Sequence, residues 1–300
     1  MASRRPGPRE YFLATRPYSL LNSVSRALVG GAMGIAAAGL SPTTALILAM
    51  VVVGVAAFQA SENLLNDYYD VRRGADAPGS PSTTLRAHSV YTLGLSLSQV
   101  RSFGLALLAL GAALVAAATV ALDRPLLPAF LAAGAALIAA YSGPVGLKYR
   151  GLGEVDVFAA AVLMVLGSYY TVAGRLSAAP ALVGVPVGLL TASVALADDI
   201  RDLEWDRAHG VGTMAVRLGP AASRALYAAM VSLALALPPL IIWPWGLLAL
   251  STAPLAALLV ASVYGRGPVG PRRAVKARFY MTIAYSAALV AAIALGATRG

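Results

Sequence analysis

The sequence has no cysteine and few charged side chains. Among its 300 residues only 12% are charged, whereas 59% are hydrophobic, and the mean hydropathy is +0.74. The absence of cysteine excludes disulfides, thiolate metal sites and cysteine nucleophiles. The scarcity of charge argues against a water-soluble enzyme, because soluble chains carry about twice this share of charged residues. Any chemistry must therefore use oxygen and nitrogen groups in a membrane protein.

Long apolar runs recur along the chain. A bilayer crossing needs about 20 apolar residues, so this length has room for roughly eight to ten helices. We predict an all-α integral membrane protein, a bundle of nine transmembrane helices in which residues 1–300 form one domain. The first fifteen residues lack a continuous apolar run, which argues against a cleavable signal peptide. The predicted spans are 18–41, 44–66, 98–122, 125–142, 155–174, 177–199, 221–242, 245–265 and 276–298.

The charged residues are distributed unevenly between the two sides of this bundle. With nine crossings, the four longer loops share one side with the N-terminus. Of the 23 Lys and Arg residues, we place only Arg124, Arg175 and Arg299 on the other side, which leaves 20 with the longer loops. The positive-inside rule makes that side cytoplasmic. We predict a multi-pass protein of the cytoplasmic membrane with its active site and N-terminus on the cytoplasmic side, and no nucleic-acid or protein partner.

An acidic, amide-rich segment closes the second predicted helix. Asn66 and Asp70 are four residues apart, and Asn63, Asp67 and Asp70 also follow helical spacing, so either set puts oxygen ligands on one face. Carboxylates at this spacing repel each other. A divalent cation would relieve that repulsion, and hard oxygen ligands favour magnesium. The alternative is a solvated, charged helix end.

A second acidic segment closes the sixth predicted helix. Asp198, Asp202 and Asp206 recur every four residues and form a stripe about 12 Å long. Two such stripes at one membrane face predict a cluster of Mg²⁺ ions that binds a diphosphate. The alternative is surface pairing of these acids with Arg201 and Arg207. The predicted metal ligands are Asn66, Asp67, Asp70, Asp198, Asp202 and Asp206.

Basic and polar residues near the two acidic segments complete a candidate anion site. Asn22 and Arg26 lie inside the first predicted helix, where polar groups usually face a cavity or a partner. For each basic residue the alternative is a topology signal or contact with lipid headgroups. The predicted substrate-binding residues are Asn22, Arg26, Arg72, Arg86, Tyr141, Lys148 and Arg217. The predicted catalytic residues are Asp70, Asp198, Asp202 and Lys148.

Together these residues resemble the UbiA superfamily of intramembrane prenyltransferases, over most of the chain. The run Asn66-Asp67-Tyr68-Tyr69-Asp70 is similar to the first aspartate motif of that family, and Asp198-xxx-Asp202-xxx-Asp206 is similar to the second. The segments 16–20, 141–154 and 212–219 resemble subsidiary patterns of the 1,4-dihydroxy-2-naphthoate branch. Many members have an acid four residues after the first motif, whereas this chain has Gly74 there and Asp76 two residues later. Asp76 is therefore either a metal ligand or a loop residue.

The resemblance implies Mg²⁺-dependent transfer of a polyprenyl group from an allylic prenyl diphosphate to an aromatic acceptor, naphthoate or hydroxybenzoate-like, in lipoquinone-type biosynthesis. The alternatives within the family are a terpene cyclase and an ether-lipid enzyme with a glycerol phosphate acceptor. Outside enzymes, a membrane transporter would also place charged residues inside a helical bundle. Against a transporter, the acids gather at one membrane face rather than at the midplane.

Overall fold

A computed structural model describes residues 6–266 and 271–297, and within these ranges the chain is helical with no strand. Two short helices, α1 (Pro8–Ala14) and α4 (Pro81–Leu85), accompany the long ones. Two 3₁₀ segments, Lys148–Arg150 and Trp245–Thr252, precede α7 and α10. The other helices are α2 (Pro17–Ala38), α3 (Pro42–Arg73), α5 (Leu97–Ala121), α6 (Leu127–Tyr141), α7 (Gly153–Ala173), α8 (Ala178–Ala208), α9 (Met214–Ile241), α10 (Ala253–Val263) and α11 (Pro271–Ala297).

The predicted all-α membrane fold is confirmed. In the described part of the chain, eight helical segments are long and apolar enough to cross a bilayer, with the 3₁₀ segment 245–252 and α10 counted as one. The remaining predicted span, 125–142, corresponds to α6, which has only 15 residues. The backbone N–H of Leu126, just before α6, donates to the Tyr170 hydroxyl at 3.3 Å. Tyr170 lies near the end of α7, whereas the ring of Tyr141, the last residue of α6, lies beside Gly153 at the start of α7. The α6 helix therefore still runs between the two ends of the bundle.

The helices that carry the two acidic segments continue beyond their apolar parts. The α3 helix runs through the first segment to Arg73, and α8 runs through the second to Ala208. Gly74 ends α3 with φ at 75°, a left-handed conformation that glycine adopts without the steric cost of a side chain. The acidic side chains are therefore held on regular helix rather than on loops.

Two glycines, Gly30 and Gly34, bring α2 into close contact with α7. A side chain at Gly30 would have its Cβ 2.1 Å from the Val165 carbonyl oxygen, and one at Gly34 would lie 2.6 Å from Val172 Cβ. Small residues allow this approach of two backbones inside a membrane. The largest apolar core then extends from α2 and α7 through α8 to α11. This packing holds α2, and with it Asn22 and Arg26, beside the space between α3, α6 and α7.

Candidate active site

The two acidic segments meet at one end of the bundle. Trp205, near the end of α8, donates its indole N–H to the carbonyl oxygen of Ala75, just after α3, at 3.0 Å. On the other side of α3, Arg73 donates to the carbonyl oxygen of Gly143 in the loop before α7, at 2.5 Å. The ends of α3 and α8 are thus tied to each other and to the loop that carries Lys148.

A cavity opens between these helix ends and continues into the bundle, and we call it the polar cavity. Asn66 of α3 and Asp198 of α8 both line it, so the structure brings one oxygen ligand from each predicted stripe to a common space. Its empty volume is about 1280 Å³, part of which is open to solvent. Its polar lining comprises Arg16, Tyr18, Ser19, Asn22, Arg26, Gln59, Glu62, Asn63, Asn66, Ser82, Arg86, Tyr141, Asp156, Thr191, Asp198 and Arg201.

Asp67 is buried behind this lining and is fully engaged by protein donors. Its Oδ1 accepts from Arg16 and from Arg86, the latter at 2.9 Å. Its Oδ2 accepts from the backbone N–H of Ser89 at 3.2 Å and from the Ser89 hydroxyl at 2.7 Å. Arg16 and Arg86 offset the charge of Asp67, and Asp67 in turn fixes the positions of these two arginines, which line the polar cavity. Its role as a metal ligand stays a prediction.

Asp76 and His88 form the next layer behind Asp67. His88 is completely buried and donates from Nε2 to Asp76 Oδ2 at 3.0 Å, while its Nδ1 accepts from the backbone of Val90. Burial alone would raise the pKa of Asp76, but the hydrogen bond from His88 and the charges of Lys148 and Arg86 lower that pKa to about 2. His88 therefore has a structural position, in which both ring nitrogens form hydrogen bonds within the protein.

Asp70 is buried and held by the loop before α7. It accepts from Lys148 Nζ at 2.7 Å and from the Tyr149 hydroxyl. Burial lowers the pKa of Lys148, but Asp70 and the phenol groups of Tyr141 and Tyr149 outweigh it, so that pKa lies well above its usual value. Lys148 therefore carries a positive charge directly beside Asp70.

Asp198 and Asp202 share one arginine. Arg201 donates from Nη1 to Asp198 at 2.7 Å, and from Nε and Nη2 to the two oxygens of Asp202 at 2.5 and 2.6 Å. Arg278 of α11 adds a second contact to Asp198, at 3.1 Å. Asp198 and Asp202 are thus each paired with a cation of the chain, and Asp198 remains about one third exposed toward the cavity.

The last two acids of the α8 segment differ from each other. Asp206 is buried and accepts from the Thr213 hydroxyl at 3.2 Å, which ties the end of α8 to the start of α9. Glu204 has a side chain 83% exposed and pairs with Arg207 at 3.3 Å. Of this pair only Asp206 faces the protein interior.

Among the seven predicted substrate-binding residues, four line the polar cavity, and three, Arg72, Lys148 and Arg217, lie outside its lining. Asn22, Arg26, Arg86 and Tyr141 are lining residues. Arg26 is buried, donates to Ser23 Oγ at 2.5 Å, and keeps an Nε–H without a partner in the described part of the chain. Arg72 instead donates to the Tyr68 hydroxyl on the outside of α3, and Arg217 is exposed, donating to the Gly212 carbonyl oxygen.

A second, apolar cavity adjoins the polar one, and we call it the apolar cavity. Its walls come from α3, α5, α6 and α7, and its empty volume is about 1180 Å³. Ala118, Leu127 and Phe130 lie among its residues near the far end of the bundle. The residues that line both cavities are Gln59, Glu62, Gly134, Ile138, Ala160 and Met164.

Several residues of the site were not singled out from the sequence. Arg16 holds Asp67, Tyr149 holds Asp70 and Arg278 holds Asp198. Glu62 and Asp156 add two acids to the cavity wall. Three of the five, Glu62, Asp156 and Arg278, lie in apolar helices, and ionisable residues there usually mark a site. For Tyr149 the sequence carries no such signal.

The fold and the site define a class, an intramembrane helical protein with a polar cavity lined by arginines beside an apolar cavity. The sequence model of the UbiA prenyltransferase family matches residues 27–286. This chain belongs to the UbiA prenyltransferase family.

Individual relatives agree with this assignment. The chain is 34% identical over 235 residues to the 1,4-dihydroxy-2-naphthoate octaprenyltransferase of Mycobacterium leprae, covering 74% of either chain. It is 32% identical over 229 residues to UbiA prenyltransferase domain-containing protein 1 of Gallus gallus, covering 74% of this chain and 66% of the relative. The match thus spans just under two thirds of the length of that vertebrate relative.

Solved structures show the same fold. A UbiA homolog from Aeropyrum pernix aligns with a TM-score of 0.67 at 22% identity, covering 92% of this chain and 97% of that one. A UbiA homolog from Archaeoglobus fulgidus bound to GPP and Mg²⁺ aligns with a TM-score of 0.64 at 18% identity, covering 95% and 99%. The helical arrangement described above is therefore that of the family.

Proposed function

We propose that the protein transfers a polyprenyl group from an allylic prenyl diphosphate to an aromatic acceptor, in a magnesium-dependent step of lipoquinone-type biosynthesis. The observation that carries this proposal is the continuity of the polar and apolar cavities. A prenyl diphosphate has one strongly anionic end and one long apolar chain, and the joined cavities offer an environment for each. Gln59 and Glu62 line both cavities and lie where the polar cavity passes into the apolar one.

The oxygen groups on α3 and α8 suit Mg²⁺. Asn66 and Asp198 line the polar cavity, and Asp70 and Asp202 lie one helical turn further along the same helices. Such a set of carboxylates and amides is what magnesium prefers, together with phosphate oxygens. Bound there, Mg²⁺ would supply positive charge that stabilises the departing diphosphate.

The chain's own cations complete the anion site. Arg16, Arg86 and Arg201 line the polar cavity, and Lys148 lies behind it on Asp70. Guanidinium groups bind phosphate oxygens in pairs of parallel hydrogen bonds, so these side chains hold the diphosphate and stabilise the charge that grows as it leaves. The allylic carbon–oxygen bond breaks, and the electron pair departs with the diphosphate.

After the diphosphate departs, the acceptor forms the new bond and the apolar cavity protects the allylic cation. The aromatic carbon of the acceptor bonds to the allylic carbon, and the ring regains its conjugation by releasing a proton or carbon dioxide from that position. Asn22, Arg26 and Tyr141 also line the polar cavity and would bind the polar groups of the acceptor. The apolar cavity keeps water from the allylic cation. The name of the Mycobacterium leprae relative favours a naphthoate acceptor.

The reaction is tested directly with purified protein. The protein is incubated with Mg²⁺, prenyl diphosphates of several lengths, and aromatic and glycerol phosphate acceptors, and the products are identified by mass spectrometry. A prenylated aromatic product supports the proposal. A prenylated glycerol phosphate identifies an ether-lipid enzyme instead, a hydrocarbon released without acceptor identifies a cyclase, and no turnover with any pair contradicts an enzymatic role.

The far end of the apolar cavity should limit the length of the prenyl chain. We expect Ala118→Phe to lower kcat/KM for long prenyl diphosphates by about tenfold or more while sparing geranyl diphosphate, because the new ring fills space at the far end of the cavity. The matched control is Ala116→Phe, on the exposed face of α5. An equal loss with short and long substrates would show that the cavity does not hold the chain's tail.

We propose that the site faces the cytoplasm of the cell membrane, with the N-terminus on that side and the C-terminus on the other. The distribution of Lys and Arg supports this orientation. Arg124, assigned to the opposite side, donates to the Thr171 carbonyl oxygen at the end of α7 remote from the site. Reporter fusions should therefore give a cytoplasmic signal at the N-terminus and an external signal at the C-terminus. Signals from one side at both ends would contradict the nine crossings.

A further inference from the structure

A surface groove lies between the end of α3 and the start of α5, apart from the polar cavity. We call it the α3–α5 groove. It is lined by Tyr68 and Arg72 of α3 and by Leu97, Ser98, Arg101, Ser102 and Leu105 of α5. None of these residues lines either cavity of the proposed active site. Arg72 therefore has a location that prenyl transfer does not explain.

Two arginines share one aromatic ring in this groove. The Arg72 guanidinium carbon lies 5.6 Å from the centroid of the Tyr68 ring, and the corresponding atom of Arg101 lies 5.9 Å from it. Arg72 also donates to the Tyr68 hydroxyl at 3.0 Å. Across residues 6–266 and 271–297, no carboxylate forms an ion pair with either arginine. The groove thus holds two positive charges that no carboxylate within those ranges neutralises.

The polarity of the groove changes along α5. Ser98, Arg101, Ser102 and Leu105 are spaced by three and four residues, so they occupy one face of the helix. The hydroxyls and the guanidinium lie in the first two turns, and Leu105, 44% exposed, follows one turn deeper along the span. On the neighbouring face, Phe103 packs edge-on against Tyr11 at 5.2 Å, an aromatic pair of the kind found at the headgroup level of a bilayer.

From this geometry we infer that the α3–α5 groove binds the phosphate of an anionic membrane phospholipid. Arg72 and Arg101 contact the phosphate, the Ser98 and Ser102 hydroxyls donate to its remaining oxygens, and an acyl chain lies along Leu105. Arginine is suited to phosphate by its planar set of donors. A membrane lipid fits better than a soluble anion because the charged part of the groove continues directly into an exposed apolar surface.

Binding is measured on the purified full-length protein in detergent, by native mass spectrometry and by thermal shift. The probes are phosphatidylglycerol, phosphatidylcholine and inorganic phosphate. Wild-type protein should retain phosphatidylglycerol in preference to phosphatidylcholine. The double variant Arg72→Gln/Arg101→Gln should bind phosphatidylglycerol about 25-fold more weakly, since one basic residue near a membrane surface contributes about fivefold.

The matched control is Arg150→Gln/Arg207→Gln, which removes two exposed arginines from the same side of the protein. This control should keep the wild-type affinity. Arg101→Gln alone, at an exposed position, should lose about fivefold, and it serves if the double variant does not fold. Equal weakening in groove and control variants, equal binding of the two lipids, or complete displacement of the lipid by inorganic phosphate would each overturn the assignment.

Discussion

Replacing either Asp70 or Asp202 by asparagine should lower kcat for prenyl transfer by about 10²–10³-fold, because the loss of one electrostatic stabiliser at a reacting charge typically costs about 2.7–4 kcal/mol. Both carboxylates are buried or largely buried at helix ends beside the polar cavity, and each is paired with a cation of the chain. Steady-state rates at saturating substrate check this expectation. Only variants that keep the wild-type melting temperature in detergent are compared.

Glu204→Gln is the matched control for Asp202→Asn. Glu204 lies two residues away on the same helix, but its side chain is exposed and pairs with Arg207. Its loss should change kcat less than about threefold, in line with the small energies of exposed ion pairs. Asp206→Asn should be intermediate, because Asp206 is buried but bonded to Thr213. Equal, modest losses at all four positions would contradict the assignment of Asp70 and Asp202 to the site.

Removal of divalent cations should abolish activity. Excess chelator is expected to lower turnover by at least about 10²–10³-fold, because a bound metal ion contributes several kcal/mol of charge stabilisation. Added Mg²⁺ should restore the rate, and the Asp70→Asn variant should need a higher Mg²⁺ concentration for half-maximal rate. Full turnover in excess chelator would exclude metal-assisted departure of the diphosphate.

The membrane helices could be predicted from the sequence because the length of an apolar run determines whether a segment can span the bilayer. Eight predicted spans overlap helices of sufficient length and apolarity, and their boundaries differ where polar residues continue a helix. The helical range Met214–Ile241 is broken at Gly219, where φ is 79°, so a short helix over 214–218 precedes the long one. Pro220, which follows the break, marks in the sequence where the long helix of the predicted span 221–242 begins. The predicted span 125–142 exceeds α6 by three residues, because Pro125, Leu126 and Ser142 lie outside the regular helix.

The acidic segments were predictable, but their partners were not. Helical spacing alone places Asp198 and Asp202 on successive turns of one face of α8. Spacing does not show that Arg201 reaches both acids, or that Arg278 arrives from α11, 80 residues later in the chain. The same holds for Asp67, whose four donors come from Arg16, Arg86 and Ser89. Such contacts depend on how helices that are far apart in the sequence pack together, and the spacing of residues within one helix does not reveal that packing.

The arginine shared by Asp198 and Asp202 acts as a built-in counterion. Arg201 bonds to both acids and offsets the repulsion between them, and Lys148 offsets the charge of Asp70. The chain itself therefore supplies a positive group to each of these three carboxylates. If Mg²⁺ bound these carboxylates as proposed, Arg201 would be free to bond to an oxygen of the diphosphate instead. One side chain would then have two successive partners, the carboxylates of α8 without the substrate and the diphosphate with it.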